Sequence, residues 1–93
     1  MSRKYSREEI GTLGGEIYES RLSAILETEE NIGRIVSIDV ASSDYEVADD
    51  LVDAGLRLQE RHPDAQMYGK RIGYNAVYAV GGTLMRMIST IWR

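Results

Sequence analysis

The chain has 93 residues, of which 43% are hydrophobic and 28% are charged, and it contains no cysteine. This composition excludes disulfide bonds and thiolate metal sites, and it is typical of a folded protein rather than a disordered one. The length predicts one domain with a modest core, for which dimerisation would add buried surface. No apolar run reaches the roughly 20 residues that span a bilayer. The first residues lack the apolar core of a secretory signal, so we expect a cytoplasmic protein without membrane contact.

The charges are unevenly distributed along the chain. Residues 1–60 carry a net charge of −8 and residues 61–93 carry +4, which together make the overall −4. A basic C-terminal third could attract an acidic partner. Alternatively, the acidic and basic parts meet within the fold or across a dimer.

Residues 1–32 have the pattern of a helical segment. Ser6 and Glu9 have the spacing of a capping box, which predicts a helix start. Apolar residues follow at helical spacing: Ile10, Leu13, Ile17, Tyr18, Leu22, Ile25 and Leu26. Gly14 and Gly15 interrupt this stripe, and we expect a kink or two shorter helices there.

The hydrophobic pattern of residues 33–82 predicts a ββαββ core. "RIVSIDV" and "YEV" alternate in hydrophobicity and form a first hairpin around "ASSD". A helix begins at Asp49 or Asp50 and ends before Pro63, because proline disfavours helical geometry at the residue before it. Gln66–Ile72 and "AVYAV" form a second hairpin, which Gly81 and Gly82 close. The sequence therefore predicts an α+β fold with a mostly antiparallel four-stranded sheet of two hairpins, helices on one face, and an apolar C-terminal tail.

The stretches "GRIVSIDVASSDYEVADDL" and "RHPDAQMYGKRIGYNAVYAVGG" resemble a group of small uncharacterised prokaryotic α+β proteins. Members share the paired strands, the helix, the Pro-Asp-Ala step and an Arg-Ile/Val-Gly-Tyr turn. The resemblance covers residues 33–82 and supports the predicted fold. Some of these proteins look antitoxin-like from their gene neighbours, which implies binding to a partner protein and no particular active site.

The sequence contains no residue pattern typical of a catalytic or metal site. The acidic residues of the middle segment are Asp39, Asp44, Glu46, Asp49, Asp50 and Asp53, and they do not match the spacing of a calcium loop. His62 is the only histidine, and beside Pro63 at a helix end it is expected to interact with the helix dipole. The glycines before the tail lack the Lys-Ser/Thr pair of a phosphate loop. We therefore expect no enzyme, no metal and no cofactor.

Nucleic-acid binding is the alternative function. Lys70, Arg71 and Arg86 lie among tyrosines, and such an arrangement could bind phosphates and stack on bases. The number of positive charges is small, however, and tyrosines on a small sheet are usually packing residues.

The C-terminal tail, residues 83–93, is the strongest candidate for a contact surface. Its apolar residues at helical spacing, a set we call the C-terminal stripe, are Leu84, Met87, Ile88, Ile91 and Trp92. Soluble monomers seldom expose such a surface. It could fold back on the protein's own sheet, pair with a second copy, or bind a groove on another protein. The sequence thus predicts a non-enzymatic protein-interaction module, homodimeric and antitoxin-like.

Overall fold

The computed structural model describes residues 4–75 and 77–80, and side chains only as far as Val77. The helices are α1 (Arg7–Ile17), a π-helical turn at Tyr18–Leu22, α2 (Ser23–Leu26) and α3 (Leu51–Arg61). The strands are β1 (Ile35–Asp39), β2 (Tyr45–Ala48), β3 (Met67–Arg71) and β4 (Val77–Val80). None of the described helices has both the length and the apolar character needed to cross a membrane.

β1 lies between β2 and β3 and pairs antiparallel with both. Val36 faces Val47 on one side and Lys70 on the other. β4 lies along the free edge of β3, with a register shift between Gly69 and Lys70. The prediction of an α+β fold with an antiparallel sheet is confirmed for β1 to β3. The regular four-stranded sheet stays a prediction.

Both long helices begin with the side-chain caps expected from the sequence. At α1, the Ser6 hydroxyl accepts a hydrogen bond from the Glu9 backbone, and the Glu9 carboxylate accepts one from the Ser6 backbone. At α3, the Asp50 carboxylate accepts a hydrogen bond of 2.7 Å from the Asp53 N–H. These bonds satisfy donors that have no partner within the helix. The capping box and the N-cap predictions are therefore confirmed.

The helices cover both faces of the sheet, so the prediction that they lie on one face is wrong. All five residues of β1 are buried. Val36 and Ile38 join the core formed with α1, the π-helical turn and α2. Ile35, which points to the opposite face, packs with Ala54 of α3. The sequence concealed this because Ser37 and Asp39 share that second face and gave it a polar appearance.

α1 approaches the sheet closely at Gly14. A Cβ atom at this position would lie only 2.1 Å from Cγ of Tyr68 and 2.5 Å from Cβ of Tyr68. Gly14 therefore allows the helix to pack on β3, and it does not interrupt α1, which runs on to Ile17. The helical irregularity lies further along, at the π-helical turn that contains the fully buried Tyr18.

Gly14→Ala should destabilise the protein by about 2–3 kcal/mol, because the new methyl group would overlap atoms close to the Tyr68 backbone. Gly15→Ala is the matched control. A Cβ atom there would lie 3.8 Å from the Tyr68 hydroxyl, an ordinary contact, and alanine favours the helix by about 1 kcal/mol. Urea unfolding of the two variants gives the comparison. Equal stability of both would contradict the close helix–sheet contact.

Candidate functional site

A cluster of five charged and titratable side chains joins the β1–β2 turn to the end of α3. We call it the ionic clasp, and its members are Asp39, Asp44, Glu46, Arg61 and His62. Arg61 is at its centre. Its guanidinium binds the Asp44 carboxylate, lies 2.5 Å from Oε2 of Glu46, and donates a 3.0 Å hydrogen bond to the Tyr45 carbonyl. The clasp therefore fixes β2 against α3.

His62 lies between two carboxylates of the clasp. Its Nε2 is 2.8 Å from Oδ2 of Asp44, and its Nδ1 is 3.8 Å from Oδ2 of Asp39. The sequence had suggested only an interaction with the end of the helix. His62 is indeed the C-terminal cap of α3, but its imidazole ring also binds the hairpin 18 residues earlier in the chain.

The carboxylate of the buried Asp39 accepts hydrogen bonds from three nearby donors. These are the Gln66 N–H at 3.0 Å, the Ser42 hydroxyl at 2.8 Å and the Ala41 N–H at 3.4 Å. Ser42 thus donates to a carboxylate and not to His62. A serine nucleophile needs a base that accepts its proton, so these residues have the geometry of a structural network rather than that of a catalytic triad.

Asp44 is the clasp residue whose titration is most clearly perturbed. The hydrogen bond from His62 is the main cause that lowers the pKa of this carboxyl group below its ordinary value of 3.8. Burial acts in the opposite direction, while the Tyr45 N–H and the Arg61 charge lower the pKa further. The folded state therefore favours the ionised carboxylate.

The clasp also occupies the backbone groups of Tyr45 at the outer edge of β2. The Asp39 N–H donates to the Asp44 carbonyl, so in the antiparallel ladder the backbone groups of the next residue, Tyr45, point away from β1. Arg61 occupies the Tyr45 carbonyl, and the Asp44 carboxylate accepts a 2.9 Å hydrogen bond from the Tyr45 N–H. Exposed strand edges invite pairing with other chains. At Tyr45 this edge is already satisfied.

The remaining acidic residues have structural roles. Asp49 pairs with Arg34 at 3.0 Å, and Asp53 pairs with Arg57 at 3.0 Å within α3. Within residues 4–75 and 77–80, no group of three or more potential ligands is arranged to hold a metal ion.

Lys70, a candidate for nucleic-acid binding, is buried. Its ammonium group donates to the carbonyls of Arg71 and Tyr74 and lies 4.6 Å from the centre of the Tyr18 ring. The hydroxyl of the same Tyr18 donates a 2.7 Å hydrogen bond to the Glu27 carboxylate. Burial of the hydroxyl and its hydrogen bond to this carboxylate raise the pKa of Tyr18 to about 12. The ammonium group of Lys70 thus has its partners inside the fold and is not presented to solvent as a phosphate-binding group.

Arg71 is half-buried and also engaged. Its Nε donates a 3.3 Å hydrogen bond to the Gly33 carbonyl, and its guanidinium lies 4.7 Å from the centre of the Tyr74 ring. The third candidate, Arg86, lies outside the described residues. The described residues therefore do not assemble the predicted patch of cations.

Three partly exposed apolar side chains lie at or beside the β3–β4 turn. We call this set the turn patch, and it consists of Ile32, Tyr74 and Val77, which are 44%, 49% and 47% exposed. Ile32 packs over Gly73, which has the positive φ of 85° that favours glycine. The patch therefore combines the end of the loop before β1 with the turn after β3.

A shallow groove runs along the N-terminal half of α1. We call it the α1 groove. It has a volume of about 430 Å³, and its lining residues are Tyr5, Glu8, Glu9, Thr12 and Leu13. Leu13 also packs against the core below. The groove combines an apolar floor with acidic side chains.

The predicted contact residues Leu84, Met87, Ile88, Ile91 and Trp92 all lie outside the described residues, and their role stays a prediction. Sequence reasoning missed the ionic clasp, because nothing local links Asp44 to residues 17 and 18 positions later. It also missed the burial of Lys70, for which the Tyr18 ring and the turn carbonyls supply the partners.

No protein-family model matches the chain, and no curated protein or solved structure is significantly similar to it. The resemblance to small uncharacterised prokaryotic proteins accordingly stays a prediction.

Asp44→Asn should reduce the free energy of unfolding by about 1 kcal/mol at pH 7, because it weakens an ionic network that is partly screened by solvent. The pKa of Asp44 is depressed in the folded state, so its contribution is present above about pH 4 and is lost as pH falls through the folded pKa. The difference between wild type and variant should therefore shrink below about pH 4.

Asp64→Asn is the control for this experiment, because it removes the same charge from an exposed turn. Urea unfolding from about pH 7 down to about pH 2.5 measures both differences across the range in which carboxyl groups titrate. If the Asp44 and Asp64 variants had the same pH profile, the assigned role of the clasp would be incorrect.

Proposed function

We propose that the chain is a non-enzymatic protein-interaction module that acts as a homodimer. The observation that carries the proposal is the turn patch. Three large apolar side chains, each about half exposed, lie around one turn of a small protein. Such surfaces commonly mark contact sites. A second copy of the chain is the partner we propose, since two copies of the patch can meet about a twofold axis.

Two further features support an interaction role. The clasp satisfies the backbone of Tyr45 at one edge of the sheet, so strand addition there is disfavoured. The described polar groups that could serve catalysis bind one another instead. We also infer that β4 completes a regular four-stranded sheet of two hairpins, which carries the chain from the turn patch to the C-terminal stripe.

We propose that the C-terminal stripe contributes to the same function, with Trp92 as an anchor residue. Tryptophan is frequent among the residues that dominate binding energy. An antitoxin-like protein would use such a surface to hold a partner protein. This part of the proposal is supported by the sequence pattern and by the resemblance of residues 33–82.

Ile32→Gln and Tyr74→Gln should each weaken the dimer at least tenfold, because each replaces an apolar contact by a polar side chain. Leu56→Gln is the matched control, since Leu56 is 45% exposed on α3 and lies outside the patch. Light scattering at several concentrations gives the dissociation constants. A wild-type protein that stays monomeric throughout would refute the homodimer, and equal effects of all three variants would refute the turn patch as its interface.

Nucleic-acid binding gives a different expectation in a gel-shift experiment. The burial of Lys70 and the stacking of Arg71 on Tyr74 lead us to expect no salt-sensitive binding of DNA or RNA. Arg71→Ala should therefore leave any residual binding at low salt unchanged. Binding that falls steeply with salt and is lost in this variant would favour the alternative function.

A further inference from the structure

We propose that Asp44 and Arg61 of the clasp guard the outer edge of β2 against pairing with β2 of a second copy of the chain. The inference does not depend on the turn patch, which lies at the β3–β4 turn. It gives the clasp an effect on association in addition to its effect on stability. Three observations support it: the place of β2 in the sheet, the direction of its backbone groups, and the partners that the clasp supplies to them.

β2 is the outermost strand on its side of the described sheet. The strand order is β2-β1-β3-β4, so in the part of the chain that the structure describes β2 has β1 as its one neighbour. The two strands pair in regular register from Tyr45 to Ala48. The backbone groups on the other side of such a strand invite pairing with another chain, and natural proteins block such edges.

Two residues of β2 direct their backbone groups away from β1. The Asp39 N–H donates to the Asp44 carbonyl, and the direction of the backbone groups alternates along an antiparallel pair. Tyr45 and Val47 therefore turn their N–H and carbonyl groups outward, whereas Glu46 turns its own toward β1. A strand that adds to this edge would use the groups of both Tyr45 and Val47.

A second copy of β2 fits this edge. Two copies can pair antiparallel about a twofold axis, with Tyr45 of each copy opposite Val47 of the other. Each of these residue pairs would exchange both N–H···O bonds. Glu46 would then lie directly opposite Glu46 of the second copy, with the Cα atoms about 4.5 Å apart. This register uses all the outward backbone groups of β2, so a second copy is the partner that we assign to it.

The clasp prevents this pairing. The Arg61 guanidinium donates a 3.0 Å hydrogen bond to the Tyr45 carbonyl and lies 2.5 Å from Oε2 of Glu46. The Asp44 carboxylate accepts a 2.9 Å hydrogen bond from the Tyr45 N–H. An incoming strand would therefore have to displace both side chains before it reached Tyr45. The two opposed Glu46 carboxylates would also repel each other.

Removal of both guarding side chains should open the edge. The open-edge variant combines Asp44→Ala with Arg61→Ala, which leaves the net charge unchanged. The two side chains are 32% and 45% exposed, so we expect their truncation to leave the apolar core intact. Asp53→Ala combined with Arg57→Ala is the matched control, because it removes a 3.0 Å ion pair of similar exposure within α3.

A disulfide bond between two copies reports the register, because the chain has no cysteine of its own. Glu46→Cys, added to both variants, removes the like charges and places two thiols in the directly opposed pair, where the Cα separation suits a disulfide. With oxidised glutathione, the open-edge protein should form linked dimers at least ten times faster than the control.

Far-UV circular dichroism establishes that the compared variants are folded. Equal rates in two folded proteins would overturn the proposal. If the open-edge variant does not fold, Arg61→Ala alone, compared with Arg57→Ala, gives the same test.

Asp49→Cys distinguishes strand pairing from random collision. The Asp49 side chain is 88% exposed and that of Glu46 is 28% exposed, so random collision would link the Asp49 variant faster. In the proposed register, Asp49 lies opposite Ser43 and not opposite itself. The Glu46 variant should therefore link at least ten times faster in the open-edge protein. The reverse order would contradict the proposal.

Val47→Pro tests the backbone of the edge. Proline removes the outward N–H of Val47 and no hydrogen bond to β1. Val47→Ala is the matched control, because it shortens the same side chain and keeps the N–H. Added to the open-edge protein with Glu46→Cys, the proline should slow disulfide formation at least tenfold and the alanine less than twofold. Equal effects in folded proteins would count against pairing through this edge.

Tyr74→Gln separates these results from the homodimer through the turn patch. Added to the open-edge protein with Glu46→Cys, it should leave the rate of disulfide formation unchanged. Loss of the disulfide would mean that it forms within the turn-patch dimer, which would overturn the guard. A wild-type chain that is monomeric by light scattering, together with fast linking of the open-edge protein, would refute the homodimer and support the guard.

Discussion

The structure depends on the burial of β1 on both faces and along both edges. β1 pairs with β2 and β3, and its alternate side chains pack toward α1 and toward α3. A strand in this position needs two covering layers, so the fold cannot be completed by one helical segment alone. The N-terminal helical segment covers one face of β1, and α3 covers the other.

In residues 4–75 and 77–80, the cations of the basic C-terminal third make contacts within the fold. Arg61 binds the acidic β1–β2 hairpin, Lys70 binds turn carbonyls and the Tyr18 ring, and Arg71 binds the Gly33 carbonyl. The described cations of the basic C-terminal third thus serve packing. The binding of Arg61 to Asp44 and Glu46 agrees with the interpretation in which acidic and basic parts meet within the fold.

Local patterns in the sequence predicted the elements well, and long-range contacts explain the differences. Ser6 and Glu9 cap α1 as expected, since capping involves only neighbours in the chain. Gly14 was predicted as an interruption of the helix, but its role depends on Tyr68, which is 54 positions away. The second covered face of β1 was missed because Asp39 is buried by donors from other segments. The clasp could not be predicted for the same reason.

These features give one physical account of the chain. A doubly covered strand supports the fold, and the clasp occupies the backbone of Tyr45 at the outer edge of β2. Native-state hydrogen exchange tests its central claim most directly. The amides of Val36 to Ile38 should exchange only through global unfolding, with protection that matches the full free energy of unfolding. Exchange of these amides as fast as that of Val47 on β2 would contradict the account, because β1 would then not be the centre of the fold.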